Sequence, residues 1–353
     1  MQFCPGKLSG QWTATEAGMM SPRYLTHLDP VYLQETARQI PYQRIHCDLF
    51  PAIEVWIRRD DLLDPVISGN KAYKLLFNLL EAEEQGAHTI VTCGGAWSNH
   101  IHATAAAGAR FGFRTIGIIR GERRPVLSAT LQDAERLGMQ LRFVRRETYR
   151  RRNEPEFLSE LGLAQPGILY IPEGGANLAG ARGIQLLGQV IEETAPIDFD
   201  QLWLACGTGL TAAGLAASIT RFSVCGVEVL KAGSSIQRDV EQWLKRLPKP
   251  YGAMREPGCT SNHTEADLFL NSTYHCGGYA KNPQYLRDFQ KVFECQTGIP
   301  LDPVYTAKLM YALHRESEGG RISSGSRMLV LHSGGLQGRR GFREKVLSKR
   351  LQN

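Results

Sequence analysis

Thr89-Ile90-Val91-Thr92-Cys93-Gly94-Gly95-Ala96-Trp97-Ser98-Asn99-His100 opens as a strand and closes as the start of a helix. An unbroken β-branched and apolar run suits a strand covered on both faces. The paired glycines end it, and a segment rich in small residues continues with helical spacing to about residue 111. Outward from this unit the pattern repeats. Residues 115–119 read as a strand and 127–137 as a helix, with further strands at 141–144 and 168–171. A second series has strands at 202–206 and 224–229, a helix from about 211, and a late strand at 328–332. Strands separated by helices of this length predict an α/β fold built on parallel sheets, whose ligands bind beyond the carboxyl ends of the strands.

The 353 residues predict two domains, or one large domain with an insertion. With 42% apolar and 22% charged residues, a sizeable core is easily built. A net charge of +6 fits an anionic ligand and is too weak to indicate nucleic acid. Arg142, Arg145, Arg146, Arg150, Arg151 and Arg152 form one basic stretch, read as a solvated face beside Glu147, Glu154 and Glu156 because no nucleic-acid recognition motif accompanies it. Eight cysteines without a C-x-x-C pair predict reduced, mostly buried thiols, neither disulfides nor a zinc site. His100 and His102, two apart on a helix, do not share a face, so no metal is expected. Residues 1–23 hold no apolar leader and no stretch is long enough to span a bilayer, so a cytoplasmic protein with no membrane contact is expected. Residues 1–40 carry little pattern and read as a docking arm or loose chain.

Glycine-rich turns stand at four strand ends: 93–95, 173–175, 206–209 and 333–335. Four at equivalent positions point to a large flat ligand that backbone approaches closely. Lys71 and Lys74 open a predicted helix at 72–85, for which Ser68 or Asn70 is the candidate N-cap. Cations there oppose the helix dipole; a bound phosphate or a Schiff base relieves the conflict. Gly207, Thr208, Gly209, Leu210 and Thr211 form a candidate phosphate cradle between strand and helix. The same loop supports a rival, a nucleotide-dependent oxidoreductase. Gly207, Gly209 and Ala212 match G-x-G-x-x-A, and Glu228 stands where a ribose-binding acid belongs. The wider set favours pyridoxal phosphate, which needs a Schiff-base lysine, a phosphate cup and a partner for its ring nitrogen.

Ser68-Gly69-Asn70-Lys71-Ala72-Tyr73-Lys74, Gly94-Gly95-Ala96-Trp97-Ser98-Asn99-His100 and Glu173-Gly174-Gly175-Ala176-Asn177 occur in order. Gly278-Tyr279, Asp302-Pro303-Val304-Tyr305-Thr306-Ala307-Lys308 and His332-Ser333-Gly334-Gly335 follow. Across roughly residues 45–340 this set resembles the D-cysteine desulfhydrase and 1-aminocyclopropane-1-carboxylate deaminase family, in the tryptophan-synthase-β-like superfamily. The resemblance implies a two-domain pyridoxal-phosphate fold with parallel-rich twisted sheets, the small domain (75–185) inserted into a large one (1–74 and 186–353), and a homodimer. It implies that Lys71 holds the cofactor and moves a proton, and that Lys74 and residues 207–211 hold the phosphate. Asn99 would bond the ring hydroxyl, Ser98 would meet the substrate carboxylate or assist at Cα, and Tyr279 and Tyr305 would face the substrate as acid/base or positioning groups. Tyr274 is read as core. In the deaminase branch a Glu follows the Asp-Pro-Val-Tyr motif. Thr306 stands there in this chain, and the ring-nitrogen partner implied is Ser333. A neutral hydroxyl makes a weaker electron sink, which suits elimination of a β leaving group from a small amino acid, as in D-cysteine desulfhydration, better than ring opening by a deaminase. Trp97, His102 and Ala280 depart from the family's usual Gln, Arg and glycine turn, and leave the identity of the amino acid open.

Overall fold

The computed structural model describes residues 24–247 and 267–342; Cys4, Cys259 and the first 23 residues of the possible docking arm lie outside them. Ten strands form two sheets: β1 (Tyr42–Ile45), β2 (Glu54–Arg58), β3 (Thr89–Gly94), β4 (Arg114–Arg120), β5 (Gln140–Val144), β6 (Ile168–Ile171), β7 (Gln201–Cys206), β8 (Ser223–Glu228), β9 (Leu268–Asn271) and β10 (Arg327–Leu331). One sheet runs β1-β2-β10-β7-β8-β9 and the other β5-β4-β3-β6. The β1–β2 pair is antiparallel; every other pairing is parallel. The expected parallel-rich α/β fold is therefore present. All six residues of β3 are buried, as its unbroken apolar run requires.

Helices Asn70–Glu84 and Leu178–Thr194 cross closely over one core cluster. The first begins where expected, but neither Ser68 nor Asn70 caps it. Its N-cap is Gly69, at φ 66°, with no side-chain capping bond. The reason is tertiary: a Cβ on Gly69 would stand 1.9 Å from the Ser333 carbonyl oxygen. Cys93, Cys206, Cys225 and Cys276 are buried free thiols, whereas Cys47 is half-buried and Cys295 exposed. Among the described residues no group of His, Cys, Asp or Glu could hold a metal ion, and no helix is long and apolar enough to cross a membrane.

Candidate active site

A cavity of about 540 Å³ opens at the carboxyl ends of β3, β7 and β10, where the glycine turns converge. Its wall brings together Lys71, Lys74, Ser98, Asn99, Tyr279, Tyr305 and Ser333 with Gly207, Thr208, Gly209 and Thr211. Of the predicted loop, Leu210 alone turns away; its side chain is buried in the core.

The Lys71 amine donates to Asn70 Oδ1 at 3.1 Å, and Asn70 Nδ2 donates to Thr211 Oγ1 at 3.0 Å. This chain of bonds ties the lysine to the phosphate-type loop. Desolvation in the cavity wall lowers the Lys71 amine to about 8. Lys74 donates to the Gly174 carbonyl at 3.3 Å and is held well below the usual lysine range, first by burial and then by the charge of Lys71. His100 is depressed first by burial, then by the charges of Lys71 and Lys74. Its Nε2 meets Thr92 Oγ1 at 2.9 Å, and its buried Nδ1 has no hydrogen-bond partner among the described residues. Two amines and a histidine crowded together, with neither amine ion-paired among the described residues, form a site that an anionic group completes. The phosphate of pyridoxal phosphate fits that requirement, and the Lys71 amine beside it fits the aldehyde.

Asn99 accepts a bond from Gln337 Nε2 at 3.0 Å and presses so closely on Gly335 that a Cβ there would lie 2.1 Å from its amide nitrogen. Ser98 caps helix Asn99–Phe111 by accepting the Ile101 amide at 3.3 Å. Tyr305 sits at the start of helix Thr306–Glu318, its amide held by Asp302 Oδ1 at 2.6 Å. Burial, then Tyr279, pushes the Tyr305 phenol well above its ordinary range; burial likewise raises Tyr279. Both phenols therefore stay protonated at neutral pH. Ser333 reaches the cavity wall. Thr306 does not; it is buried, and its hydroxyl accepts the Asp302 amide at 2.7 Å.

Two of the three departures from the family pattern fall in a second cavity. Trp97 and Ala280 line a space that shares only Gly95, Arg120 and Tyr279 with the first. Ala280 takes φ 54°, the conformation a glycine would favour. His102, 3.5 Å from Asp133, is lowered to about 4 chiefly by burial and is neutral. Tyr274 is outside the cavity lining, edge-on to Tyr311 and bonded by Arg321, in keeping with a packing role.

Several residues in and behind the cavity wall escaped the sequence. Asn70 read only as a cap. Arg152, assigned to a solvated face with its neighbours, instead lies 2.7 Å from Glu173, and both line the cavity; Arg151 does behave as expected, paired with Glu154 and Glu160. Lys308, quoted in a motif but given no role, is buried and donates to the carbonyls of Val229 (3.0 Å) and Gly278 (2.7 Å), so it anchors the Tyr279 turn. The nucleotide alternative loses its ribose acid: Glu228 is buried at the end of β8 and does not line the cavity.

Comparison with known proteins agrees. The bifunctional D-cysteine desulfhydrase/1-aminocyclopropane-1-carboxylate deaminase of Arabidopsis thaliana is 30% identical over 309 residues, 81% of this chain and 73% of that protein. A D-cysteine desulfhydrase of Yersinia pestis is 30% identical over 293 residues, 80% and 86% of the two chains. A solved structure described as an ACC deaminase homologue superposes with a TM-score of 0.72 at 26% identity, covering 88% of this chain and 93% of that one. A sequence model described as pyridoxal-phosphate dependent enzyme matches residues 38–334, and the chain belongs to that pyridoxal-phosphate-dependent family.

Proposed function

We propose that this enzyme is a lyase that removes the β-substituent of a small amino acid, with D-cysteine as the leading substrate and keto acid, ammonia and sulfide as products. The observation that carries the reading is the cavity wall itself: Lys71 and Lys74 face it together with Ser333, while Thr306 is turned away and bonded to the Asp302 amide. The deaminase reading wants a carboxylate at Thr306, and a neutral hydroxyl at Ser333 serves elimination better.

When bound, pyridoxal phosphate withdraws electrons from Cα and so makes its proton removable. Lys71 holds the cofactor covalently. Lys74 and the amides and hydroxyls of residues 207–211, Leu210 through its backbone, hold the phosphate. Asn99 bonds the ring hydroxyl, and Ser333 the ring nitrogen. Ser98 and the helix start at Asn99 receive the substrate carboxylate. Burial brings the Lys71 amine toward neutrality, which suits it to take the Cα proton and return it as the general base. Tyr279 and Tyr305, kept protonated by burial, supply a proton toward the departing sulfur. The domains divide as residues 1–74 with 186–353, carrying the six-stranded sheet, and 75–185, carrying the four-stranded one. We also infer a homodimer, by likeness to the family, in the cytoplasm, where the buried free thiols stay reduced; sedimentation and fractionation test these.

The purified protein should show a violet absorption band that shifts when D-cysteine is added, with sulfide released in the same cuvette. Lys71→Ala should lose both band and turnover. A colourless protein that cannot be reconstituted with pyridoxal phosphate overturns the reading; ammonia from 1-aminocyclopropane-1-carboxylate without sulfide from D-cysteine would favour the deaminase.

A further inference from the structure

Beyond the cofactor cavity lies the second one, of about 1080 Å³. Five arginines line it: Arg120, Arg123, Arg124, Arg145 and Arg146, against Glu122 and Glu147. Arg123 is paired with Glu135 at 2.8 Å, and among the described residues no carboxylate is paired with the other four. Arg120 is the one that reaches both cavities. It stands at the carboxyl end of β4, with its guanidinium 5.6 Å from the Tyr279 ring centre and 5.7 Å from that of Tyr149. Arg120 is exposed, with both rings beneath its guanidinium.

The mechanism proposed above leaves this charge unused. The cofactor phosphate is met by Lys74 and residues 207–211, and the substrate carboxylate by Ser98 and the helix start behind it. A monocarboxylic amino acid therefore brings no anion for Arg120. A planar guanidinium is the group best matched to a second oxyanion, which it grips through two parallel hydrogen bonds. The neighbouring arginines add a positive field that draws such a substrate inward.

We propose that the site also takes amino acids whose side chain carries a phosphate or sulfonate group, received by Arg120 where the two cavities meet. This rests on the lyase reading and extends its substrate class beyond D-cysteine. For O-phosphoserine the step balances without any oxidant or reductant. The Cα proton is removed, the Cβ–O bond breaks with its electron pair leaving on phosphate, and water converts the resulting enamine to pyruvate and ammonium.

The test is calorimetric titration of the holoenzyme with each enantiomer of 2-amino-3-phosphonopropionate, which has no leaving group, against 2-aminobutyrate, which lacks the anion. The phosphonate is expected to bind at least about tenfold more tightly at low salt. That advantage should shrink as salt rises and collapse in Arg120→Gln. Arg120→Lys, which keeps the charge but not the fork, should retain only part of it and serves if the glutamine variant does not fold. Equal affinities in the parent protein, or a full advantage in either variant, would overturn the proposal. Kinetics of both O-phosphoserine and cysteate then separate phosphate from sulfonate. Binding is read without turnover, so failure of D-cysteine elimination leaves this result legible, and loss of the phosphonate advantage in an enzyme that does release sulfide sinks this inference alone.

Discussion

Asp302 shows at a single residue how burial sets chemistry near the site. Its Oδ1 accepts the amides of Val304 (3.0 Å) and Tyr305 (2.6 Å), while Oδ2 is buried with no hydrogen-bond partner among the described residues. Burial raises its carboxyl from 3.8 to about 7, against the lowering effect of those two amides. A folded value above the unfolded one means the native state binds the extra proton. The associated stability is present in full below about 4 and is lost as pH rises through 7. Asp302→Asn keeps an acceptor for both amides and removes the titration. Urea denaturation from pH 4 to 8 should therefore show the parent losing stability relative to the variant, and parallel curves would contradict the assignment. Residues of this kind were only partly legible. Lys71, Lys74 and Ser333 announce themselves because each sits in a short motif beside a glycine turn. Arg120, Asn70 and the Arg152–Glu173 pair do not, since their meaning comes from partners that the fold, not the local sequence, brings near.

The two helices that cross beneath the site illustrate the element scale. A Cβ on Gly183, in helix Leu178–Thr194, would stand 2.0 Å from the Tyr73 carbonyl oxygen, in the first turns of helix Asn70–Glu84. Gly183→Ala therefore sets two effects against each other. Alanine's helix propensity favours the variant by up to about 1 kcal/mol. Overpacking against backbone, which cannot swing aside as a flexible side chain can, costs roughly 1–3 kcal/mol. The clash should win. Since Tyr73 lies between Lys71 and Lys74, cofactor affinity should fall along with stability. Chemical denaturation and a cofactor titration of the variant check both, and a net gain in stability would show that the helices part without cost. Element extents were readable from periodicity: the first strand and helix of the quoted stretch appear as β3 and Asn99–Phe111. The cap at Gly69 was not, because the Ser333 carbonyl that demands a glycine there arrives from β10, far along the chain.

At the scale of the whole molecule, the chain pattern showed parallel α/β units but not the strand order. β10 inserts between β2 and β7, so the last strand completes a sheet begun by the first, and no local signal encodes that. The consequence is a cleft whose walls come from both sheets: the β3 turn with Ser98 and Asn99 from one, the β7 and β10 turns from the other, and Lys71 and Lys74 beside them. A cofactor held as proposed by all of these would bind the assembled fold and not the unfolded chain. Its stabilisation then follows mass action, about 2.7 kcal/mol at a free concentration one hundred times the dissociation constant. Thermal melts of cofactor-free protein should therefore rise with added pyridoxal phosphate. Lys74→Ala should blunt that rise by removing the proposed phosphate ligand, and Lys71→Ala by removing the proposed covalent link. If the sheets instead melted in two separate transitions and the cofactor moved just one, its contacts would lie on that sheet alone, and the shared cleft would have to be given up.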